Sequence, residues 1–167
     1  GGKGRARRGE QRNRGMRKGD EGRDWRGNTL ASTAGWQGVS GGNLTLRGAS
    51  LDNRGRRQGR TLTATADSWH NGGTVQAQDS LNATLGSSLE NQGQMLSQGG
   101  AIISAAQLTN DGKLAAKDLT VTAPDISSNG ILQGNDSLTI ATQHLRNGDN
   151  GQLVSGSGLD LNLDRLE

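Results

Sequence analysis

Apolar and polar side chains alternate in the middle of the chain. Leu119, Val121 and Ala123 are separated from one another by Thr120 and Thr122. A period of two places the three apolar side chains on one face of a β-strand and the two threonines on the other. A single strand with one apolar face buries too little surface to fold alone, so further strands of the same kind are needed to cover it.

The same unit recurs along the chain at a nearly constant step. An apolar residue, here termed the opener, begins each copy; the openers are Leu51, Trp69, Leu89, Leu108, Ile126, Leu145 and Leu166. They are separated by 18, 20, 19, 18, 19 and 21 residues. Self-similarity at a fixed step of about 20 residues is typical of a solenoid. In a solenoid each strand is hydrogen-bonded to its equivalents in the neighbouring coils, which lie ~4.8 Å away.

Counting back from each opener brings the apolar residues of successive units into columns. The residues seven and five positions before an opener are expected to form continuous core, and in the last three units they are Leu119, Val121, Leu138, Ile140, Leu159 and Leu161. A further apolar column is expected 12 to 14 residues before the next opener, at Val39, Val75, Leu96, Leu114, Leu132 and Leu153.

A polar column accompanies the apolar ones. Two residues after most openers stands an asparagine, replaced by Ser128 in one unit, and a glycine usually follows two residues later. Both residue types tolerate positive φ, so the pair predicts a turn. When coils stack, the asparagines are expected to form a ladder of side-chain amides at one corner. The predicted members are Asn53, Asn71, Asn91, Asn110 and Asn147.

A leucine-rich-repeat horseshoe is the alternative solenoid. Its consensus places an asparagine after paired leucines, and the stretch Ile126 to Asn129 imitates that order locally. Elsewhere the asparagine follows its opener by only two residues, and steps of 18 and 19 residues are short for a horseshoe. The pattern therefore favours the parallel β-helix.

Composition agrees with a narrow coil interior and tight corners. The chain of 167 residues has 28 glycines, one proline and no Phe or Tyr. It has no cysteine, which excludes disulfides and thiolate metal sites. No apolar run reaches membrane-spanning length, and the first residues show no signal-peptide pattern. Because the chain does not begin with Met and ends as a further unit opens, we expect a fragment of a longer exoprotein.

Charge divides the chain into a basic and an acidic part. Residues 1–60 hold 15 Lys and Arg against 5 Asp and Glu, whereas residues 61–167 hold 4 against 11. A basic, glycine-rich segment can bind nucleic acid through phosphate neutralisation, but no aromatic residue precedes Trp25 to stack on bases. Arg56, Arg57 and Arg60 crowd a place where an apolar residue belongs, so we expect the weakest coil there.

Three of the units resemble a known family in their residues. The stretches 51–55 (Leu-Asp-Asn-Arg-Gly), 89–93 (Leu-Glu-Asn-Gln-Gly) and 108–112 (Leu-Thr-Asn-Asp-Gly) are similar to filamentous-haemagglutinin repeats. These occur in large bacterial two-partner-secretion exoproteins, among them adhesins and the stalks of contact-dependent growth-inhibition toxins. The resemblance covers about residues 36–167. It implies a right-handed parallel β-helix, exported through an outer-membrane transporter and displayed at the bacterial surface, facing host or bacterial cells.

Catalysis and metal binding are the alternatives to this structural interpretation. Some β-helix proteins act on polysaccharides with clustered carboxylates, and Asp79, Asp118 and Asp136 each precede a strand. Asp is a common turn residue, which accounts for that position without catalysis. His70 and His144 lie in different coils and lack a third metal ligand. We therefore expect no catalytic residue, no cofactor, no metal and no small-molecule substrate.

The sequence thus predicts an all-β chain in two parts. Residues 1–35 form a basic, Gly/Arg-rich segment that is disordered or a degenerate repeat, and residues 36–167 form a haemagglutinin-repeat β-helix with coils of about 19 residues. The expected function is a structural shaft segment of a large secreted adhesin or haemagglutinin that presents a binding or toxin module to other cells. The alternatives are a β-helix enzyme acting on polysaccharide and a nucleic-acid-binding protein acting through residues 1–60.

Overall fold

The computed structural model describes the backbone of residues 10–13, 16–19, 23–32, 37–40 and 42–166, and the side chains of residues 42–164. These residues form fifteen strands that belong to one continuous sheet. The strands are β1 (Glu10–Asn13), β2 (Met16–Gly19), β3 (Arg23–Ser32), β4 (Gln37–Ser40), β5 (Asn43–Asn53), β6 (Arg56–Asn71), β7 (Thr74–Asn91), β8 (Gln94–Ser97), β9 (Gly100–Ser104), β10 (Gln107–Asn110), β11 (Lys113–Thr122), β12 (Asp125–Ser128), β13 (Ile131–Asn147), β14 (Gln152–Ser155) and β15 (Gly158–Leu166).

The sheet is wound into a parallel solenoid. All of the pairings between these fifteen strands are parallel, and each joins residues 18 to 21 positions apart in the sequence. This finding confirms the predicted all-β β-helix with coils of about 19 residues. It also excludes the horseshoe, because each coil carries strands on three sides. The residues that the structure describes include no helix that could span a membrane.

Each coil contributes a short stretch to three faces. The first face runs from residues 43–47 through 61–65, 80–84, 100–104, 118–122 and 137–141 to 158–162. The second face holds the openers, from 50–53 to 144–147. The third face runs from 56–59 to 152–155. The corner between the second and third faces carries the asparagines and is here termed the asparagine corner.

The core is a thin aliphatic cylinder inside the three faces. Residues that the period-two pattern turns inward are buried, and openers such as Leu89 and Leu145 are fully enclosed. Trp69 is also buried, as its opener position predicts. One unit is a residue longer: Leu85, four positions before its opener, pairs with Ala66, and a bulge follows that restores the register. The extra residue therefore leaves the core column unbroken.

One residue that the sequence places in a core column, Leu96, does not lie in the core, so this prediction is wrong. Leu96 pairs with Gln76 and Ala115, and its side chain lies on the outer surface of the third face. The neighbouring Met95 takes the inward position, fully buried between Val75 and Leu114. Both residues are apolar, so the hydrophobic pattern did not distinguish a column position from the next one along the strand.

Strands also occur within the segment that the sequence assigns to a separate N-terminal part. β3 pairs in parallel with β5, with Trp25 beside Leu46, so it forms a further coil on the same stack. Residues 1–9 and the side chains of 1–41 lie outside the described residues. The division of the chain at residue 35 therefore stays a prediction, as does the character of the basic segment.

Candidate functional site

The side chains at the asparagine corner form a hydrogen-bonded ladder along the solenoid axis. The Nδ2 atom of Asn53 donates to Oδ1 of Asn71 at 2.8 Å, Asn71 to Asn91 at 2.9 Å, and Asn91 to Asn110 at 2.9 Å. All four side chains are fully buried. Each inner amide thus accepts from the coil before it and donates to the coil after it.

The second hydrogen of each amide satisfies a backbone carbonyl. Asn71 donates to the carbonyl of Gln94 at 3.1 Å, Asn91 to that of Lys113 at 3.0 Å, and Asn110 to that of Ile131 at 2.9 Å. These carbonyls begin the strand of the third face in the next coil. The ladder therefore ties the second and third faces together across successive coils, and it leaves no donor of these amides unused.

The ladder changes character toward the end of the chain. Nδ2 of Asn110 donates to the hydroxyl of Ser128 at 3.3 Å. Asn147, the fifth predicted member, is only partly buried and donates to the carbonyl of Gly151 at 3.3 Å. Asp149 and Asn150 lengthen this corner by two residues compared with the other coils. The structure thus brings together four of the five predicted asparagines. Asn147, the fifth, hydrogen-bonds within the turn that follows it.

The glycines at the same corner are required by close packing of neighbouring coils. A Cβ atom at Gly112 would lie 2.0 Å from the carbonyl oxygen of Gly93, and one at Gly130 would lie 2.0 Å from that of Gly112. None of these three glycines adopts the left-handed backbone conformation. The chain bends at this corner as predicted, but it does so without a positive φ. The corner needs glycine because two backbones approach each other too closely for any side chain.

The six predicted apolar ladder residues occupy two adjoining inward columns. Leu119 pairs with Leu138, and Leu138 with Leu159; Val121 pairs with Ile140, and Ile140 with Leu161. The four residues in the two inner coils are buried. In the last coil of the described chain, Leu159 is 52% exposed and Leu161 is partly buried, because no coil covers their outer side.

A charged residue points into the core from the third face. Arg57 takes the inward position next to Val75 and is almost completely buried. Desolvation lowers the pKa of its guanidinium well below its ordinary value, to about 9. Arg56 and Arg60 lie on the outer surface, where they contact Gln76 and Asp79 respectively. Only one of the three arginines that crowd this coil therefore enters the core.

The three aspartates that could have formed a catalytic cluster have separate partners. Asp79 forms an ion pair with Arg60 at 3.0 Å, and Asp136 forms one with Lys117 at 3.8 Å. Asp118 accepts a hydrogen bond from Ser137 at 2.7 Å. Asp118 aligns with Ser137 in the next coil, one position away from Asp136. The three carboxylates therefore do not converge on one point, and their contacts stabilise corners of the solenoid.

The histidines are equally far from forming a site. His70 lies between Asp52 and Gln92 on the second face, with ring nitrogens 3.2 and 3.3 Å from their oxygens. His144 lies on the same face, several coils away. Among the residues with described side chains, no group of three His, Cys, Asp or Glu could hold a metal ion. The depression of about 390 Å³ beside His70 is an open trough between outward side chains.

The fold and the asparagine ladder define a class of protein. A narrow parallel solenoid, closed by side-chain hydrogen bonds from coil to coil, is a structural rod. The sequence comparisons specify the family. The chain belongs to the haemagglutinin-repeat family, whose model matches residues 28–123 and 114–165.

Several relatives carry this repeat within much longer proteins. The chain is 36% identical over 132 residues to the tRNA nuclease CdiA of Escherichia coli strain NC101. The aligned region covers 77% of this chain and 4% of that protein. It is 32% identical over 138 residues to the 16S rRNA endonuclease CdiA of Enterobacter cloacae, covering 81% and 4%. It is 36% identical over 104 residues to the deoxyribonuclease CdiA of Dickeya dadantii, covering 62% and 3%.

The chain therefore spans only 3–4% of the length of these relatives. The activities in their names describe the relatives, and the part of this chain that its family model matches is the repeat. No solved structure matches the chain.

Proposed function

We propose that this chain is a shaft segment of a large secreted bacterial surface protein, and that the shaft carries a binding or toxin module toward other cells. The observation that supports this role is the continuous parallel pairing from coil to coil, with the amide ladder from Asn53 to Asn110 and the apolar columns inside it. In the seven coils of the first face, equivalent residues stack directly above one another. At ~4.8 Å per coil the segment contributes roughly 30 Å of rod length.

A rod of this kind acts through its length and stiffness. Bending it would stretch the backbone hydrogen bonds on one side of every coil and would separate the amide pairs at the asparagine corner. Stacked coils contact only their immediate neighbours, so folding can begin at one end and continue coil by coil. This mode of folding suits a chain that leaves the cell as an extended strand. The partners of the whole protein are accordingly an outer-membrane transporter of two-partner secretion and the surface of a target cell.

The same role explains why the outer surface carries no conspicuous binding site in the described residues. The relatives with nuclease names suggest contact-dependent growth inhibition as the process that the whole protein serves. In such a protein the repeat would determine how far a module reaches, and catalysis would belong to another part of the chain.

Deletion of coils in the whole protein tests the proposal. Removing residues 92–110 takes out one complete coil and joins Asn91 to Asp111 in register, whereas removing residues 92–101 deletes about half a coil. The first variant is expected to retain surface display and action on neighbouring cells, measured by antibody labelling and by co-culture survival. The second is expected to lose both, because its columns are out of register. Loss of activity in the first variant, with display intact, would instead indicate a specific site within that coil.

A further inference from the structure

Four asparagines in the sequence are followed directly by a glycine: Asn71, Asn129, Asn147 and Asn150. In such a pair the backbone nitrogen of the glycine can attack the side-chain carbonyl carbon, Cγ, of the asparagine. A succinimide ring closes and ammonia leaves. Glycine favours this step because it has no side chain to obstruct the attack. Water then opens the ring at one of its two carbonyls, which gives aspartate or its isomer isoaspartate.

Ring closure requires local freedom of the backbone. The glycine nitrogen must release its hydrogen bond and approach Cγ of the residue before it, so the asparagine must leave its folded backbone conformation. Where the amides are hydrogen-bonded to a neighbouring coil, this happens only when two coils separate locally. Such opening is rare in a packed stack and frequent in a single exposed turn. The hydrogen bonds around each pair therefore determine which asparagine reacts.

Asn71 and Asn147 are held by the stack of coils. The side chain of Asn71 is fully buried in the amide ladder, and the N–H of Gly72 donates to the carbonyl of Asn53 at 2.8 Å. Asn147 is partly buried, and the N–H of Gly148 donates to a carbonyl of the preceding coil at 2.8 Å. Attack by either glycine nitrogen would break a bond between coils.

Asn129 is exposed, but its backbone is bound to the coil before it. Its own N–H and that of Gly130 both donate to the carbonyl of Asn110, at 2.9 and 3.0 Å. Gly130 is buried, and a Cβ atom there would collide with the carbonyl oxygen of Gly112. Succinimide formation at Asn129 would therefore separate two coils at the asparagine corner.

Asn150 lies in the corner that is two residues longer than the others, and its side chain is exposed. The N–H of Gly151 donates to the carbonyl of Gly148 at 2.9 Å, within the same turn. The stack holds this corner at its two ends, where Gly148 and Gln152 donate to the preceding coil at 2.8 and 2.9 Å. The bond that Gly151 must release is therefore internal to the turn, and no bond between coils breaks with it.

We propose that Asn150 is a site of spontaneous modification, at which the folded chain converts slowly and irreversibly to isoaspartate and aspartate. The nitrogen of Gly151 bonds to Cγ of Asn150 while the bond from Cγ to Nδ2 breaks. The proton from the glycine nitrogen leaves with Nδ2 as ammonia. Water then adds to one ring carbonyl, the bond from that carbon to the glycine nitrogen breaks, and the nitrogen regains a proton. Water is the only other reactant.

The modification changes the charge and the length of the corner. Either product adds a carboxylate beside Asp149, which is also exposed. Isoaspartate in addition carries the main chain through the side-chain methylene group. Because Gly148 and Gln152 hold the two ends of the corner, the coils are expected to keep their register. The modification does not depend on export, whereas its accumulation with age on a cell surface rests on the proposed function.

Mass spectrometry of the folded chain, aged in mildly alkaline buffer, tests the proposal. Mild base speeds ring closure because the attacking nitrogen must lose its proton, and digestion with pepsin in acid then stops it. Residue 150 is expected to gain the mass difference between a hydroxyl and an amino group at least about tenfold faster than residue 129. Asn129 is the matched control, because it too is exposed and precedes a glycine. Comparable rates at the two residues would overturn the proposal.

The urea-unfolded chain shows whether the fold makes the selection. Without the stack the four pairs have the same chemistry, so their rates are expected to become similar. Failure of Asn150 to react in the folded chain, while the unfolded chain reacts, would also overturn the proposal. None of these measurements involves export or cell contact, so a negative result leaves the shaft role to be judged by the coil deletions.

An enzymatic assay for isoaspartate gives the second readout. A methyltransferase specific for isoaspartate is expected to label the aged parent chain and to label the aged Asn150→Gln chain several-fold less, because glutamine closes the corresponding larger ring much more slowly. Equal labelling of the two chains would contradict the proposal. Circular dichroism of the aged parent is expected to show the native β spectrum and thermal transition. A lower transition temperature would contradict the expectation that the corner absorbs the change.

Discussion

The Nδ2 atom of Asn71 donates to Oδ1 of Asn91 at 2.9 Å, across 20 residues of sequence and a single coil of the solenoid. The same contact recurs one coil before and one coil after it. Because each amide is both donor and acceptor, removing one asparagine breaks the ladder on two sides. The asparagine corner is therefore the place where a small polar substitution has the largest effect on the fold.

Asn91→Ala is expected to destabilise the chain strongly. The substitution removes the acceptor of one Nδ2 hydrogen of Asn71 and the donor to Oδ1 of Asn110, and the carbonyl of Lys113 loses a donor as well. Since a buried polar group without a partner costs about 1–3 kcal/mol, the free energy of unfolding should fall by roughly 2–4 kcal/mol. Urea denaturation followed by circular dichroism measures the change.

The control for the ladder is an asparagine in an exposed turn. Asn150 lies in the lengthened corner between Asn147 and Gln152, and its side chain is exposed. Asn150→Ala is expected to change the free energy of unfolding by less than about 0.5 kcal/mol. Equal losses in the two variants would mean that the buried amides add no more stability than a solvated one.

The inward and outward faces of one strand give the second prediction. Val121 is buried in a column between Ile103 and Ile140, whereas the adjacent Thr120 points outward. Val121→Asp places a carboxylate in an apolar column and should cost about 4 kcal/mol or more, which abolishes the cooperative unfolding transition. Thr120→Asp should leave that transition nearly unchanged. The ratio of the two effects is the measurement, and similar effects would contradict the assignment of the faces.

Much of this architecture could be predicted from the sequence because every structural position of a coil recurs in each repeat unit, so the same residue type is seen there several times. Leu119, Leu138 and Leu159 fall into one column by counting alone, and pairing in the structure places them there. The extra residue before Leu89 was visible as an irregular spacing, and the structure absorbs it in a bulge. Periodicity therefore determines which residues stack.

Other features could not be predicted, because they depend on distances between coils. Met95 and Leu96 are both apolar, and only the strand pairing shows which one points inward. The arginine pattern did not reveal that Arg57 alone is buried. The turn at the corner was predicted, but the reason for its glycines was not, since a sequence does not show that a carbonyl of the neighbouring coil would lie 2.0 Å from a Cβ atom there.

The packing of the corner glycines gives the third prediction. Gly112→Ala would place a methyl group against the carbonyl of Gly93, so two coils must separate and the bonds at the corner must lengthen. The expected loss is about 3 kcal/mol or more, as for severe overpacking. Gly100→Ala is the matched control, because the atom nearest to its Cβ position lies 3.7 Å away. It should be neutral, or stabilising by about 0.5–1 kcal/mol, since alanine loses less conformational entropy on folding. Thermal denaturation compares the two variants.

The buried arginine gives the fourth prediction, whose sign follows from its pKa. Burial lowers the pKa of Arg57 well below its ordinary value, to about 9, so below pH 9 the side chain is charged in the folded and the unfolded chain alike. Above pH 9, and up to the ordinary pKa of arginine, the unfolded chain binds more protons than the folded chain at this group. Its contribution to stability therefore rises with pH in that window.

Arg57→Met fills the same column position with an uncharged side chain of similar length. At pH 7 the variant should be more stable than the parent chain by roughly 1–4 kcal/mol, as found when buried charges give way to packed apolar groups. This advantage should shrink between pH 9 and pH 10.5, because the parent chain loses its buried charge there while the variant has none to lose. Arg56→Met, on the outer surface of the same coil, should show neither effect. Urea denaturation at pH 7 and at pH 10.5 measures the free energy of unfolding of the variant and of the parent chain. A variant less stable than its parent at pH 7 would show that Arg57 strengthens its coil.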